Sequence, residues 1–277
     1  MNVIYENHNG LRADLTNWPT MLQDIESLLG HTWQCSTAGN EKRAKISTFY
    51  KSLEQREITL SIFADDEEQF KNTLNTLHQI FEEDIDDTIP GKLVIGDYYL
   101  QCYITTGNYE EYEEGFEATD IKLTVSAERW VWLKESRTEY LWHQTTDTAG
   151  RGYNYGYDYD YTMGNGNIAT IQNTHFAPCN FVLKISGYVR NPAVTIGNHI
   201  YRVNEVVQKN EILTIDTRNK TITLTKNNGV QVNVFSKRDN SSYPFEPIPA
   251  GEQRLYWNSN FNLEIMLYEE RSEPLWT

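Results

Sequence analysis

Through the second half of the chain, apolar residues recur at every second position. Phe181, Leu183 and Ile185 alternate with other residues, then Val194 and Ile196, then Tyr201 and Val203, which is the period of half-buried β-strands. Gly197-Asn198 between the last two runs is a two-residue hairpin signal, because both residues tolerate positive φ. Further on, Ile222 and Leu224 alternate with Thr221, Thr223 and Thr225, and Asn228-Gly229 predicts a type I′ turn into Val230, Val232 and Val234. Phe261, Leu263, Ile265 and Leu267 make a last strand. Strands with one oily face need a second sheet to cover it, so two packed sheets, a sandwich or jelly roll, are predicted here.

The first half is mixed. Lys45 to Tyr50 and Arg56 to Phe63 read as strands and lead into Asp65-Asp66-Glu67-Glu68, where Asp65 is the expected helix cap and Glu68 closes the capping box. Phe70, Leu74, Leu77, Ile80 and Phe81 follow at helical spacing, predicting one amphipathic helix to about Ile85. A weaker helix is predicted over Trp18 to Leu29, with Pro19 near its first turn and Gly30 just beyond its end. Pro90-Gly91 opens a hairpin that turns at Gly96-Asp97, and Thr119 to Val125 reads as a closing strand. The expected fold is therefore mainly β, in two domains: residues 1–135, an antiparallel sheet or barrel with one main helix, and residues 136–277, a β-sandwich.

Composition adds a sharp division of charge. Of the 277 residues, 39% are hydrophobic and 23% charged, which is ordinary for a globular chain. Residues 1–135 hold 11 Lys or Arg against 25 Asp or Glu, while 136–277 hold 13 against 14. So acidic a first half argues against nucleic acid as an affinity partner, because phosphate binding needs Lys and Arg. No apolar run approaches the roughly 20 residues that cross a bilayer, and the polar start lacks the features of a signal peptide, so synthesis in a cytoplasm without membrane insertion is expected. Cys35, Cys102 and Cys179 are odd in number and widely spaced, which predicts reduced, mostly buried thiols.

Motifs for catalysis are weak throughout. Gly164-Asn165-Gly166 with Ala169 matches the outline of a dinucleotide loop, but β-branched residues follow where a helix is needed. His175 and Cys179 are two metal-ligand types four residues apart without a third. Asp158 and Asp160 resemble the start of a calcium loop that has Met163 and Ala169 where Gly and Glu belong. No enzyme activity, cofactor or metal is expected. Two acidic stretches invite another reading: Glu82, Glu83, Asp84, Asp86 and Asp87 at the end of the main helix, and Glu110, Glu111, Glu113, Glu114 and Glu117. Negative charge at a helix C-terminus opposes the dipole, so these residues are either solvated loops or the wall of a rim or channel. Tyr153, Tyr155, Tyr157, Tyr159 and Tyr161 would share one face of an extended strand, either packing on the fold or, with Trp257, forming a platform for partner docking or sugar stacking.

The order of these segments resembles the distal tail (Dit) proteins of long-tailed phages. The resemblance rests on REITLSIF, DDEEQFKNTLNTLHQIF, IPGKLVIGDYYLQCYI and IKLTVSAERWVW in the first half. In the second it rests on YNYGYDYDY, the Gly187 to Asn191-Pro192 segment, LTIDTRNKTITL and FEPIPAGEQRLYW. It implies a non-enzymatic virion protein at the tail tip, whose first domain forms a ring, commonly of six copies, and whose second is a galectin-like sandwich. The implied partners are the tail tube protein, the tail-associated tip protein and receptor-binding or baseplate components. At least one acidic stretch would then face the central channel and repel passing DNA. The rival is a carbohydrate-binding module that recognises host cell-wall glycan through the sandwich, with a glycan-cleaving enzyme third. A closed ring in solution separates the first from both.

Overall fold

A computed structural model describes residues 2–39, 43–110, 118–142, 167–257 and 260–275. The fold is mainly β, and α1 is the one α-helix among the described residues. Two compact units are present, Met1–Lys134 with Glu270–Thr277, and Glu135–Glu269. The C-terminal segment thus groups with the first unit, a return that the strand pattern does not announce.

In the first unit the elements run β1 (Val3–Glu6), β2 (Arg12–Asp14), β3 (Thr20–Leu22), β4 (Gln34–Ala38), β5 (Lys45–Tyr50), β6 (Glu54–Phe63), α1 (Glu67–Asp87), β7 (Gly91–Ile95), β8 (Tyr98–Glu110), β9 (Ala118–Ala127) and the start of β10 (Trp132–Tyr140). Strand β8 is long enough to serve two neighbours. Its first half pairs with β7, which continues to β1 and β2, and its second half pairs with β9, which continues to β6 and β3. A register shift between Ile104 and Thr106 accompanies the second pairing, and irregularities of this kind bend a strand and raise its twist.

Asp66 caps α1 by accepting from the Gln69 amide at 2.7 Å, and Gln69 Oε1 accepts from the Asp65 amide at 2.7 Å. The cap is therefore one residue later than expected, with Gln69 in the part assigned to Glu68. Phe70, Leu77, Ile80 and Phe81 are buried in the unit's core with Tyr5, Leu60, Leu93, Trp130 and Trp132. At about 1.5–3 kcal/mol for each fully buried large side chain, this face holds the helix more firmly than intrinsic propensity does.

The helix expected over Trp18 to Leu29 is instead strand β3 followed by a 3-10 turn, Ile25–Leu28. Tertiary hydrogen bonds override the local pattern. The Arg56 guanidinium donates to the carbonyls of Ser27, Leu29 and Gly30 and lies 4.1 Å from the Trp130 ring centroid, while Trp130 Nε1 donates to the Leu28 carbonyl. Those carbonyls face the side chains of Arg56 and Trp130 instead of a next helical turn.

The second unit contains β11 (Asn167–Asn173), β12 (Asn180–Ser186), β13 (Val189–Arg190), β14 (Ala193–Ile196), β15 (His199–Arg202), β16 (Val206–Val207), β17 (Ile212–Asp216), β18 (Thr221–Thr225), β19 (Gln231–Asn233), β20 (Gly251–Trp257) and β21 (Asn262–Arg271). One sheet runs β19-β18-β17-β12-β21 and the other β11-β20-β14-β15. Phe181, Leu183, Ile215, Ile222 and Ile265 from the first and Ile171, Val194, Tyr201, Leu255 and Trp257 from the second share one buried core, which makes the unit a two-sheet sandwich. Gly197 turns β14 into β15 at φ +60°. The β18–β19 turn differs from the expected type I′. The Gly229 amide donates to the Lys226 carbonyl, and Gly229 alone of the Asn228-Gly229 pair has positive φ, +80°. A type I turn followed by a left-handed glycine produces this pattern.

Candidate functional site

The acidic end of α1 does not act as one charged surface. Leu77, Ile80, Phe81 and Asp84 follow the same i, i+3, i+4, i+7 stripe, so Asp84 points into the core and is fully buried. Its carboxylate accepts from Tyr5 Oη at 2.6 Å and the His8 amide at 2.8 Å, and lies 2.7 Å from His8 Nδ1. Asp84 is thus an internal anchor for the first strand and cannot line a channel, which corrects its expected place among the exposed acids. Glu83 is half-buried and accepts from Asn7, Asn9 and Gln79, and these bonds lower its carboxyl pKa. Glu82, Asp86 and Asp87 are exposed, with Asp87 3.0 Å from His8 Nε2.

Surroundings of the Asp84 anchor set the ionisation of its partners. The hydrogen bond to Asp84 raises the His8 pKa above its ordinary value. Burial, reinforced by Asp84, pushes the Tyr5 phenol far up, and burial pushes the Cys102 thiol up to about 12. Gly91 lies against this cluster, where a Cβ would run into the Asp84 carboxylate and the Tyr5 phenol, so the close approach requires glycine. Cys102 and Cys179 are buried as expected, but Cys35 is exposed.

The other sequence candidates divide by position. Glu110 ends β8 opposite Asp120, while Glu111, Glu113, Glu114 and Glu117 lie outside the described residues, as do Tyr153, Tyr155, Tyr157, Tyr159 and Tyr161. Trp257 is only 3% exposed, and its Nε1 donates to the Phe261 carbonyl at 3.0 Å. It is a core residue of the sandwich, not a sugar-stacking platform. Its neighbour Tyr256 points the other way and is 42% exposed. Among the described residues, no three His, Cys, Asp or Glu side chains are grouped to hold a metal ion.

Two surfaces of the first unit were not anticipated. Strands β4 and β5 pair only with each other among the described residues, and every residue in both is exposed. Their register places Cys35 opposite Phe49 and Thr37 opposite Ile46 on one face, where Ile46 and Phe49 are 56% and 61% exposed. Trp33 is also exposed, with Lys51 Nζ 5.1 Å from its ring centroid. The second surface is the outer face of β3 and β6, where Met21 lies opposite Ser61 and Trp18 stacks on Phe63 at 6.3 Å. Trp18, Met21 and Phe63 are all exposed. Asp120, opposite Ser61, accepts from the Ser61 hydroxyl at 2.6 Å on the same face.

The chain matches no family model and no curated protein sequence. It is similar to solved structures over nearly its whole length. The Dit protein of phage SPP1 is 10% identical with a TM-score of 0.62 and 98% of each chain covered. Chains of the phage P2 baseplate in its activated conformation, with calcium and with strontium, are 14% and 16% identical, each with a TM-score of 0.59 and 99% of both chains covered. From its first strand to its last, the chain therefore has the fold of phage distal tail and baseplate proteins.

Proposed function

We propose that the chain is a structural hub of a phage tail tip, made in the host bacterial cytoplasm and built into the virion without catalytic function. In this reading the first unit forms a ring of six copies that joins the tail tube to the tail-associated tip protein, and the second unit, of galectin-like type, carries baseplate or receptor-binding components. The observation that supports it most is likeness across both units at once, over 98% of this chain and of SPP1 Dit, a protein described as a paradigm of the hub adsorption apparatus of phages that infect Gram-positive bacteria. Glu82, Asp86 and Asp87 are the exposed acids of the helix end that would face the ring's bore. They would act on DNA only within about 8–10 Å of the wall, the screening length in physiological salt.

Solution mass across a concentration series, with electron-microscope images of the same samples, tests the proposal. The expected species is a closed ring of six times the 32.3 kDa chain mass. A chain that stays monomeric throughout and binds cell-wall glycan on an array would replace the hub with a carbohydrate-binding module.

A further inference from the structure

Among the described residues the β4–β5 hairpin pairs with no other strand and every residue of its two strands is exposed, and a lone two-stranded hairpin is marginally stable in water. Its Trp33, Ile46 and Phe49 make it a poor surface element and a good buried one. Its charge is opposite to that of the unit that carries it. Residues 31–53 contain Lys42, Arg43, Lys45 and Lys51 against the single carboxylate Glu41, in a half of the chain with 25 acids against 11 Lys or Arg. The Trp18, Met21 and Phe63 face has the complementary character: apolar at its centre, with Asp120 on the same face and exposed Asp65 and Asp66 just beyond Phe63.

We infer that the hairpin of one copy docks on the Trp18, Met21 and Phe63 face of the next copy. The apolar faces meet, while Arg43 and Lys45 reach the acids at the rim. Donor and acceptor are different surfaces of one chain, so the contact is heterologous, and repeating it produces a ring when the rotation closes. The inference rests on the proposed ring and names the surfaces that would build it. It also accounts for Cys35, an exposed thiol on the apolar side of the hairpin that the contact would cover.

Two full-chain variants test it by solution mass. Ile46→Asp with Phe49→Asp disables the hairpin, and Trp18→Asp with Phe63→Asp disables the acceptor face. All four residues are exposed, and thermal unfolding confirms that each monomer is still folded. Each variant alone should be monomeric where the wild type forms rings. Mixed in equal amounts, they retain one intact hairpin and one intact acceptor face, so the mixture should form dimers and nothing larger. A ring formed by the hairpin variant overturns the inference and leaves the ring reading standing. Dimers of either variant alone, or a mixture with no dimer at concentrations where the wild type is fully assembled, also overturn it. A wild type that never assembles overturns both readings.

Discussion

The end of α1 and the β4–β5 hairpin reverse the usual rule in opposite directions. At the helix end a carboxylate is fully buried, and at the hairpin two large apolar side chains are more than half exposed. Asp84 can be buried because Tyr5 Oη and the His8 amide donate to it and the His8 ring lies beside it, and a buried charge is tolerated only with partners of this kind. Phe49 and Ile46 have no equivalent cover among the described residues. Polarity alone does not separate inside from outside in this unit. What separates them is whether other described residues supply partners, and for the hairpin the proposed source is a second copy of the chain.

Removing the anchor should have the largest effect. Asp84→Ala leaves the buried Tyr5 hydroxyl without its acceptor and the half-buried His8 ring with only Asp87 beside it, and it should cost about 3–5 kcal/mol, the loss typical of a broken buried pair. Denaturant unfolding of the full chain measures this, and a midpoint close to that of the parent would make Asp84 an ordinary surface acid. A hairpin that belongs to a core should respond in between. Gly229→Val in the β18–β19 turn forces a β-branched residue to φ +80°, and about 1–3 kcal/mol should be lost through backbone strain, since an added Cβ meets nothing within 4 Å. The Ile46→Asp, Phe49→Asp pair should stay within about 0.5 kcal/mol of the parent in the unassembled chain, because exposed side chains contribute little to folding. A larger loss would show that this hairpin is packed after all.

The pH dependence at His8 should be the subtlest effect. Its folded pKa is raised, so its stabilising contribution is fully present below the unfolded value of about 6.5 and disappears as pH rises through the folded value. Stability should therefore decline on the alkaline side of about pH 6.5, and His8→Gln should flatten that decline. Asp84, Asp87 and, through Asn7, Glu83 are the acids that face this ring, so a slope that persists in the variant would belong to one of them.

How much of this was legible depends on the range of the interactions. Helix α1, the Gly197 turn and the alternating strands of the sandwich follow from neighbours within a few residues, and the sequence pattern displays them. Asp84 was half legible, since it continues the apolar stripe of α1, but its partners Tyr5 and His8 lie 79 and 76 residues away. The 3-10 turn was hidden for the same reason, because Arg56 and Trp130 hold it from distant strands. Trp257 stayed open between packing and a platform because a period-2 pattern shows which residues share a face and leaves open which face is covered. The hairpin at 34–50 reads as ordinary strand for the same reason, and its exposure appears only when the chain is folded.

Hydrogen exchange of the assembled protein against its dissociated form tests the central claim most directly, because it reports each segment separately. Assembly should protect the backbone of β4 and β5 together with residues 18–22 and 60–63, while β1 and the buried part of α1 keep the protection they already have. A ring in which β4 and β5 exchange as fast as in the dissociated chain would contradict the account.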